Sequence, residues 1–204
     1  GDFIMGEKTK RTISMMKALL VTALLPTVVA AVVIAAVGCV SMAGSMEEEI
    51  YHELYVAAEG LKEFYEWDFI NMEDHQPAYD HDYVDAFAED GVELTLFSGD
   101  VRYITSIKDP NNATGRNEGT TADPEIWAQV SAGNNYQDKG VVINGKDYYV
   151  AYVPVEDETG KVVGMAFAGK DAALVSSTIM SIATRFIFTT VFIVIVCSII
   201  VVII

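Results

Sequence analysis

An α+β domain carried between two membrane-spanning helices is the architecture this sequence predicts. Three observations point to it: an uncharged apolar tract towards each end, a helical apolar stripe after the first tract, and a series of period-two segments separated by turn residues. The first tract, Ala18 to Gly44, holds no charged residue over 27 positions, against roughly 20 needed to cross a hydrocarbon core. Pro26 lies inside it, which a spanning helix tolerates. The second tract runs from Ala172 to Ile204 and is interrupted only by Arg185. An arginine at mid-bilayer is costly, so residues 172–185 are expected to form a membrane-proximal helix with Arg185 at the outer headgroups. Residues 186–204 then form the second span. Those 19 residues give on the order of 28 Å of helix, a bare crossing, which reads as a span cut off before its output half.

Orientation follows from the basic residues. Lys8, Lys10, Arg11 and Lys17 precede the first tract, which places residues 1–17 in the cytoplasm, residues 18–44 across the inner (plasma) membrane and residues 45–171 outside. That outer segment has eight basic against 27 acidic residues, a net of −19. Such a surface repels nucleic acid, whose phosphates require a basic one. Cys39 and Cys197 both fall in the apolar tracts, so no disulfide framework exists. The "AVGC" ending at Cys39 loosely resembles a lipoprotein cleavage box. The apolar run continues past it to Ala43, however, and position 36 is Ala where Leu is usual.

After the first tract, "SMEEEIYHELYVAAEGLKEFYEW" opens with Ser45 and three glutamates, a helix start unless the span simply continues. Ile50, Leu54, Ala57, Leu61 and Phe64 are spaced four, three, four, three. That is a stripe for packing on the domain's own sheet, a heptad seam for a parallel homodimer, or both. Residues 73–90 read as an acidic loop and short helix. His75 and His81 beside Asp74, Asp80 and Asp82 match no zinc or calcium spacing, and no metal is expected.

The period then changes to two. Val92, Leu94 and Leu96 alternate, Gly99-Asp100 turns the chain, and a second strand covers 101–107. A polar loop ends in Asp123-Pro124, an N-cap with proline at the first helical position, ahead of a helix from Glu125 to Ala132. Strands follow at 135–143, 146–155 and 161–168, the first two joined by Asn144-Gly145, a strong hairpin signal. The result is one antiparallel sheet with helices packed on it. No nucleophile elbow, zinc-protease helix or phosphate-binding glycine loop occurs, so neither catalysis nor a cofactor is expected.

Four pieces recur together: T-x-F-x-G-D-x-R-x-x-T (Thr95 to Thr105), Gly119-Thr120, Y-x-P-V-x-D-x-x-G-K-V-x-G (Tyr152 to Gly164), and the closing Phe167 and Gly169. Across residues 45–171 the chain resembles the single Cache sensor domain of bacterial transmembrane receptors, the type found in methyl-accepting chemotaxis proteins. The resemblance implies a PAS-like sheet backed by a long N-terminal helix, homodimerisation, and a small ligand, commonly a short carboxylate, held between the sheet and its covering loops. It also implies cytoplasmic signalling machinery beyond the second span. A sensor histidine kinase or a cyclic-dinucleotide enzyme would carry the same outer domain. The loop 108–119 is longer and richer in Asn and Gly than that family's compact form, which leaves the role of Arg116 open.

Within an acidic domain, an anion site needs a local cation. Arg102 offers a planar fork for a carboxylate; the alternative is a surface arginine paired with the abundant acids. Thr105 can add a hydroxyl if the strand twists there, although strict alternation turns it to the opposite face. Thr120 and Thr121 precede a helix N-terminus, where free N–H groups favour anions. Tyr136, Tyr149 and Tyr152 either wall the cavity or are ordinary strand residues. Lys170 lies too close to the membrane to take part.

Overall fold

The structure, a computed structural model, describes residues 2–71 and 79–203. His75 and Asp74 lie outside the described residues. The chain divides into two compact units, one made of Met46–Ser177 and the other of Gly1–Ser45 with Thr178–Ile204. Two helices supply the second unit. The first, α1, is Asp2–Asn71, and the last, α4, is Ala172–Ile203. Stretches of both, Leu25–Tyr65 and Ala172–Ile200, are long and apolar enough to cross a membrane. Large apolar side chains such as Ile34, Val40, Phe188 and Phe192 stand exposed on them, which water would penalise and lipid would not.

In the Met46–Ser177 unit, α1 is followed by α2 (Asp82–Glu89), β1 (Glu93–Ser98), β2 (Val101–Thr105), α3 (Pro124–Val130), β3 (Tyr136–Ile143), β4 (Lys146–Glu156) and β5 (Val162–Asp171). The five strands form one sheet of order β2-β1-β5-β4-β3, antiparallel throughout. This is the PAS-like Cache arrangement expected from the sequence, a five-stranded sheet with a long helix before it.

One face of the sheet belongs to α1. Ile50, Leu54, Ala57 and Leu61 are buried, and each buried leucine contributes about 1.5–3 kcal/mol relative to exposure. Tyr51 meets the Tyr149 ring at 5.8 Å, and Lys170 and Lys139 reach Glu53 and Glu47. Of the two uses open to the stripe, packing on the domain's own sheet is the one these four residues serve. Phe64 departs from it: 55% exposed, it stacks on Tyr83 of α2 instead.

The other face carries a second apolar cluster, with Phe97, Met165, Phe167, Val150 and Tyr152 from the sheet meeting Ile126 and Val130 of α3. Two backbone features shape it. Asn144 and Gly145 both have positive φ, 49° and 74°, as a two-residue hairpin turn requires. At Gly164, opposite Ser98 in the β1–β5 register, a Cβ would collide with the Phe97 carbonyl oxygen. Only glycine lets the central strands approach that closely.

Two register shifts decide which side chains face this cluster. In β2, Leu96 opposes Ile104 while Phe97 opposes Arg102, so Tyr103 is an extra, bulged residue. In β3, Lys139 opposes Tyr149 and Val141 opposes Tyr148, leaving Gly140 as the extra residue.

Candidate functional site

Between the second sheet face, α3 and the segment before it lies a cavity of about 580 Å³, inside the range of small-molecule sites. Its floor includes Arg102 and Tyr152, its walls Thr120, Thr121 and Tyr136. Five of the seven residues singled out from the sequence therefore come together around one space.

Arg102 reaches this face because β2 is an edge strand covered by a strap. Along residues 117–122 the chain runs beside β2, with Arg102 N donating to Thr120 O and Gly119 N donating to Arg102 O, both at 2.9 Å. Ala122 N closes the pairing on Asp100 O at 2.8 Å. The same strap receives the guanidinium: Nη1 donates to Thr120 Oγ1 at 2.8 Å and to the Thr121 carbonyl at 3.0 Å. The guanidinium carbon sits 5.1 Å above the Phe97 ring, a cation–π placement.

Among the described residues Arg102 has no acidic partner. It is 7% exposed, Nε is buried without a hydrogen-bond partner, and among the described residues no carboxylate forms a salt bridge with it. The surface-arginine alternative is thereby excluded. Burial lowers its pKa from the ordinary arginine value, and Tyr152 beside it pushes the other way. An unpaired buried charge is expensive, and an anion in the cavity would answer it.

Two residues named from the sequence do not line the cavity. Thr105 does share a face with Arg102, because the Tyr103 bulge cancels the alternation that should have separated them. It is fully buried, however, and its hydroxyl is spent on Thr95 Oγ1 at 2.6 Å and on Ile107 N at 3.2 Å. Tyr149 lies three positions from Tyr152, so the pleat turns it to the α1 side, against Tyr51. The tyrosines that do line the cavity pack on one another, the Tyr136 and Tyr152 rings 6.0 Å apart. Burial raises the pKa of both; each keeps its phenolic proton at neutral pH.

The sequence reading missed Asn117, Asp123, Glu125 and Asp138, all of which line the cavity. Asp138 was legible, since it stands two positions from Tyr136 on one strand. Asp123 had been recognised only as the cap of α3, which it is, accepting from Glu125 N at 2.8 Å.

The long loop ahead of the strap is tied down, and Arg116 is part of the tie. Its Nη1 and Nη2 hold Asp85 of α2 at 2.7 and 2.6 Å, and Nη1 also donates to Thr105 O. Arg116 is thus committed to the loop and does not line the cavity. Beside it Glu118, 8% exposed, accepts from Tyr79 Oη and faces His81 Nε2, each at 2.6 Å. Burial alone would raise the Glu118 carboxyl; the bonds from His81 and Tyr79 outweigh it and hold the carboxyl below its usual range.

Residues 75–182 match the family described as single cache domain 3. Among solved structures, the E. coli DcuS sensor domain superposes with a TM-score of 0.47 at 13% identity, covering 70% of this chain and 98% of that one. The V. cholerae histidine kinase DctB sensor domain gives a TM-score of 0.35 at 17% identity, covering 44% and 35%. No curated protein matches the chain.

The Asp85–Arg116 pair gives the strap's anchor a pH dependence. The Arg116 guanidinium lowers the Asp85 carboxyl to about 2. Its contribution is therefore full above the ordinary aspartate value and lost as pH falls towards 2. Asp85→Asn is expected to cost up to about 1 kcal/mol at pH 7, as for a partly exposed pair. Thermal unfolding of both proteins from pH 7 to 2 should show the difference closing below about pH 4; a gap that stays constant would assign the loss to something other than the ion pair.

Proposed function

The chain belongs to the single cache domain 3 family, and on that premise we propose that it is the sensing and membrane portion of a bacterial chemoreceptor. In this reading the Met46–Ser177 unit lies outside the cell membrane and binds a small metabolite carrying a carboxylate. The observation that carries the reading is Arg102: a guanidinium buried in a cavity wall, oriented by the strap through Nη1, with Nε unpaired and, among the described residues, no acid bonded to it. A carboxylate that meets this guanidinium in the cavity forms a charge-assisted bond. Thr121 and Tyr136 bring further polar groups to the same cavity. The role is binding and signalling, with no catalytic step.

The β5–α4 junction supports the signalling part of this reading. The central strand β5 pairs with β1 on one side and β4 on the other, and α4 begins at the residue after its last. Asp171 caps that junction, accepting from Ala173 N at 2.8 Å, and Lys170 ties the strand end to Glu53 of α1 at 2.6 Å. A ligand that favours one position of this strand over another shifts the two long helices with it, since differential affinity is what moves an equilibrium.

The full chain in lipid nanodiscs, titrated calorimetrically with short carboxylates, is expected to bind at least one. Arg102→Ala should weaken that binding by roughly thirtyfold or more, the factor that follows from about 2 kcal/mol for truncating a buried charged partner. Lys161→Ala, in a surface turn, should leave it unchanged. Equal affinity in Arg102→Ala would sink the assignment. For the topology, Ser181→Cys in a background lacking Cys39 and Cys197 is expected to react with an impermeant thiol reagent on intact cells; protection would place it in the bilayer or inside. The output class is read from the reading frame following Ile204. A methylatable cytoplasmic coiled coil supports the chemoreceptor, and a kinase or cyclic-dinucleotide module replaces it with the corresponding enzyme.

A further inference from the structure

The cavity holds charge of both signs, kept apart. Among the described residues, besides Arg102 it is lined by three carboxylates, Asp123, Glu125 and Asp138, and by no lysine. None of the three forms a salt bridge with Arg102 or with any other cation among the described residues. One positive charge against three negative makes the cavity anionic as a whole, with its single cation buried in the wall.

Asp138 is the most fixed of the three. Tyr136 Oη donates to its Oδ2 at 3.0 Å and Lys139 N to its Oδ1 at 2.7 Å. These bonds orient the carboxylate without neutralising it. The nearest cation in sequence, Lys139, is unavailable: the strand turns it to the other sheet face, where its Nζ holds Glu47 at 3.0 Å. The Gly140 bulge then restores Val141 to the cavity side, so Asp138 remains the one charged residue that β3 presents there. Beside it, the Tyr136 ring offers an aromatic wall of the kind that also attracts ammonium groups.

A molecule with two carboxylates satisfies Arg102 and then sets its second negative charge among three others. A molecule with one carboxylate and one ammonium satisfies both ends. We propose that the ligand is zwitterionic, a small amino acid or related amino-carboxylate, with its carboxylate on Arg102 and the strap and its ammonium on Asp138. This deepens the carboxylate-sensor reading and rests on it. Within the proposal, Arg102 sets binding of any carboxylate, whereas Asp138 sets the preference for an amine.

The test is calorimetric titration of the full chain in nanodiscs with matched probes: the straight-chain α- and ω-amino acids of two to six carbons, and the mono- and dicarboxylates of the same lengths. The best amino-carboxylate is expected to bind about tenfold or more tighter than the carboxylates of its length, the worth of one charge-assisted contact. Asp138→Asn, which keeps the side chain's size, should remove that margin without weakening monocarboxylate binding, since it takes one negative charge out of the cavity. Arg102→Ala should remove both. Unchanged thermal unfolding of Asp138→Asn keeps a loss of binding from being read as misfolding, and Lys161→Ala serves as the surface control. If mono- or dicarboxylates bind as tightly as their amino counterparts, or Asp138→Asn keeps the amine preference, the zwitterion assignment fails while the carboxylate sensor stands. If no probe binds the intact chain, or Arg102→Ala binds as the parent does, both fall.

Discussion

Arg102 is held by two contacts of unequal kind, a pair of hydrogen bonds from Nη1 to the strap and the face of Phe97 beneath it. Neither neutralises the charge. A buried guanidinium in that position has to be solvated by dipoles and a ring, which is why the strap cannot be an ordinary surface loop. It must lie along β2 with its carbonyls aimed inward, and the backbone bonds between Thr120, Gly119 and Arg102 put it there. The same pairing covers the sheet edge that β2 would otherwise expose. One residue's burial thus accounts for the covered edge, for one wall of the cavity, and for the position of the segment that leads into α3.

The strap in turn depends on residues that never touch the cavity. Asn117 N returns to Ile107 O and Asn112 Nδ2 to Glu118 O. Arg116 clasps Asp85 while Glu118 collects Tyr79 and His81. The loop 108–119 is long because it must reach from the end of β2 to α2 and come back to lie beside β2. Its polar composition reflects that route: every turn is closed by a side chain or a backbone bond rather than by apolar packing.

Much of this was legible in the residues. Gly99-Asp100, Asn144-Gly145 and Asp123-Pro124 placed two hairpins and a helix start because each needs a particular backbone conformation that few dipeptides supply. Arg102 stood out through the shortage of cations, Thr120 and Thr121 through the helix start they precede, and Tyr136 and Tyr152 through their place on the later strands. The failures are equally physical. The Tyr103 bulge has no signature in sequence, since Tyr-Ile is an unremarkable strand pair, and it alone put Thr105 on the face of Arg102. That threonine was then lost to the site for a reason only packing reveals, the hydroxyl of Thr95 opposite. Tyr149 was a failure of counting, three positions being an odd step along a strand. The acids of the cavity were overlooked because 27 acidic residues in the outer segment make any three of them look like solvated surface.

The junction of β5 with α4 has a mechanical meaning of its own. A tether between a domain and a helix acts as a spring, absorbing displacement in proportion to its slack. Here Asp171 ends the strand and Ala172 begins the helix, so the slack is nil. A strand held by neighbours on both sides is also stiff along its length, because sliding it by one residue would reverse which side chains face each layer. Any displacement of the strand that keeps this register is therefore well below one residue, about 3.3 Å along a strand. No linker residue lies between the strand and α4 to absorb a displacement.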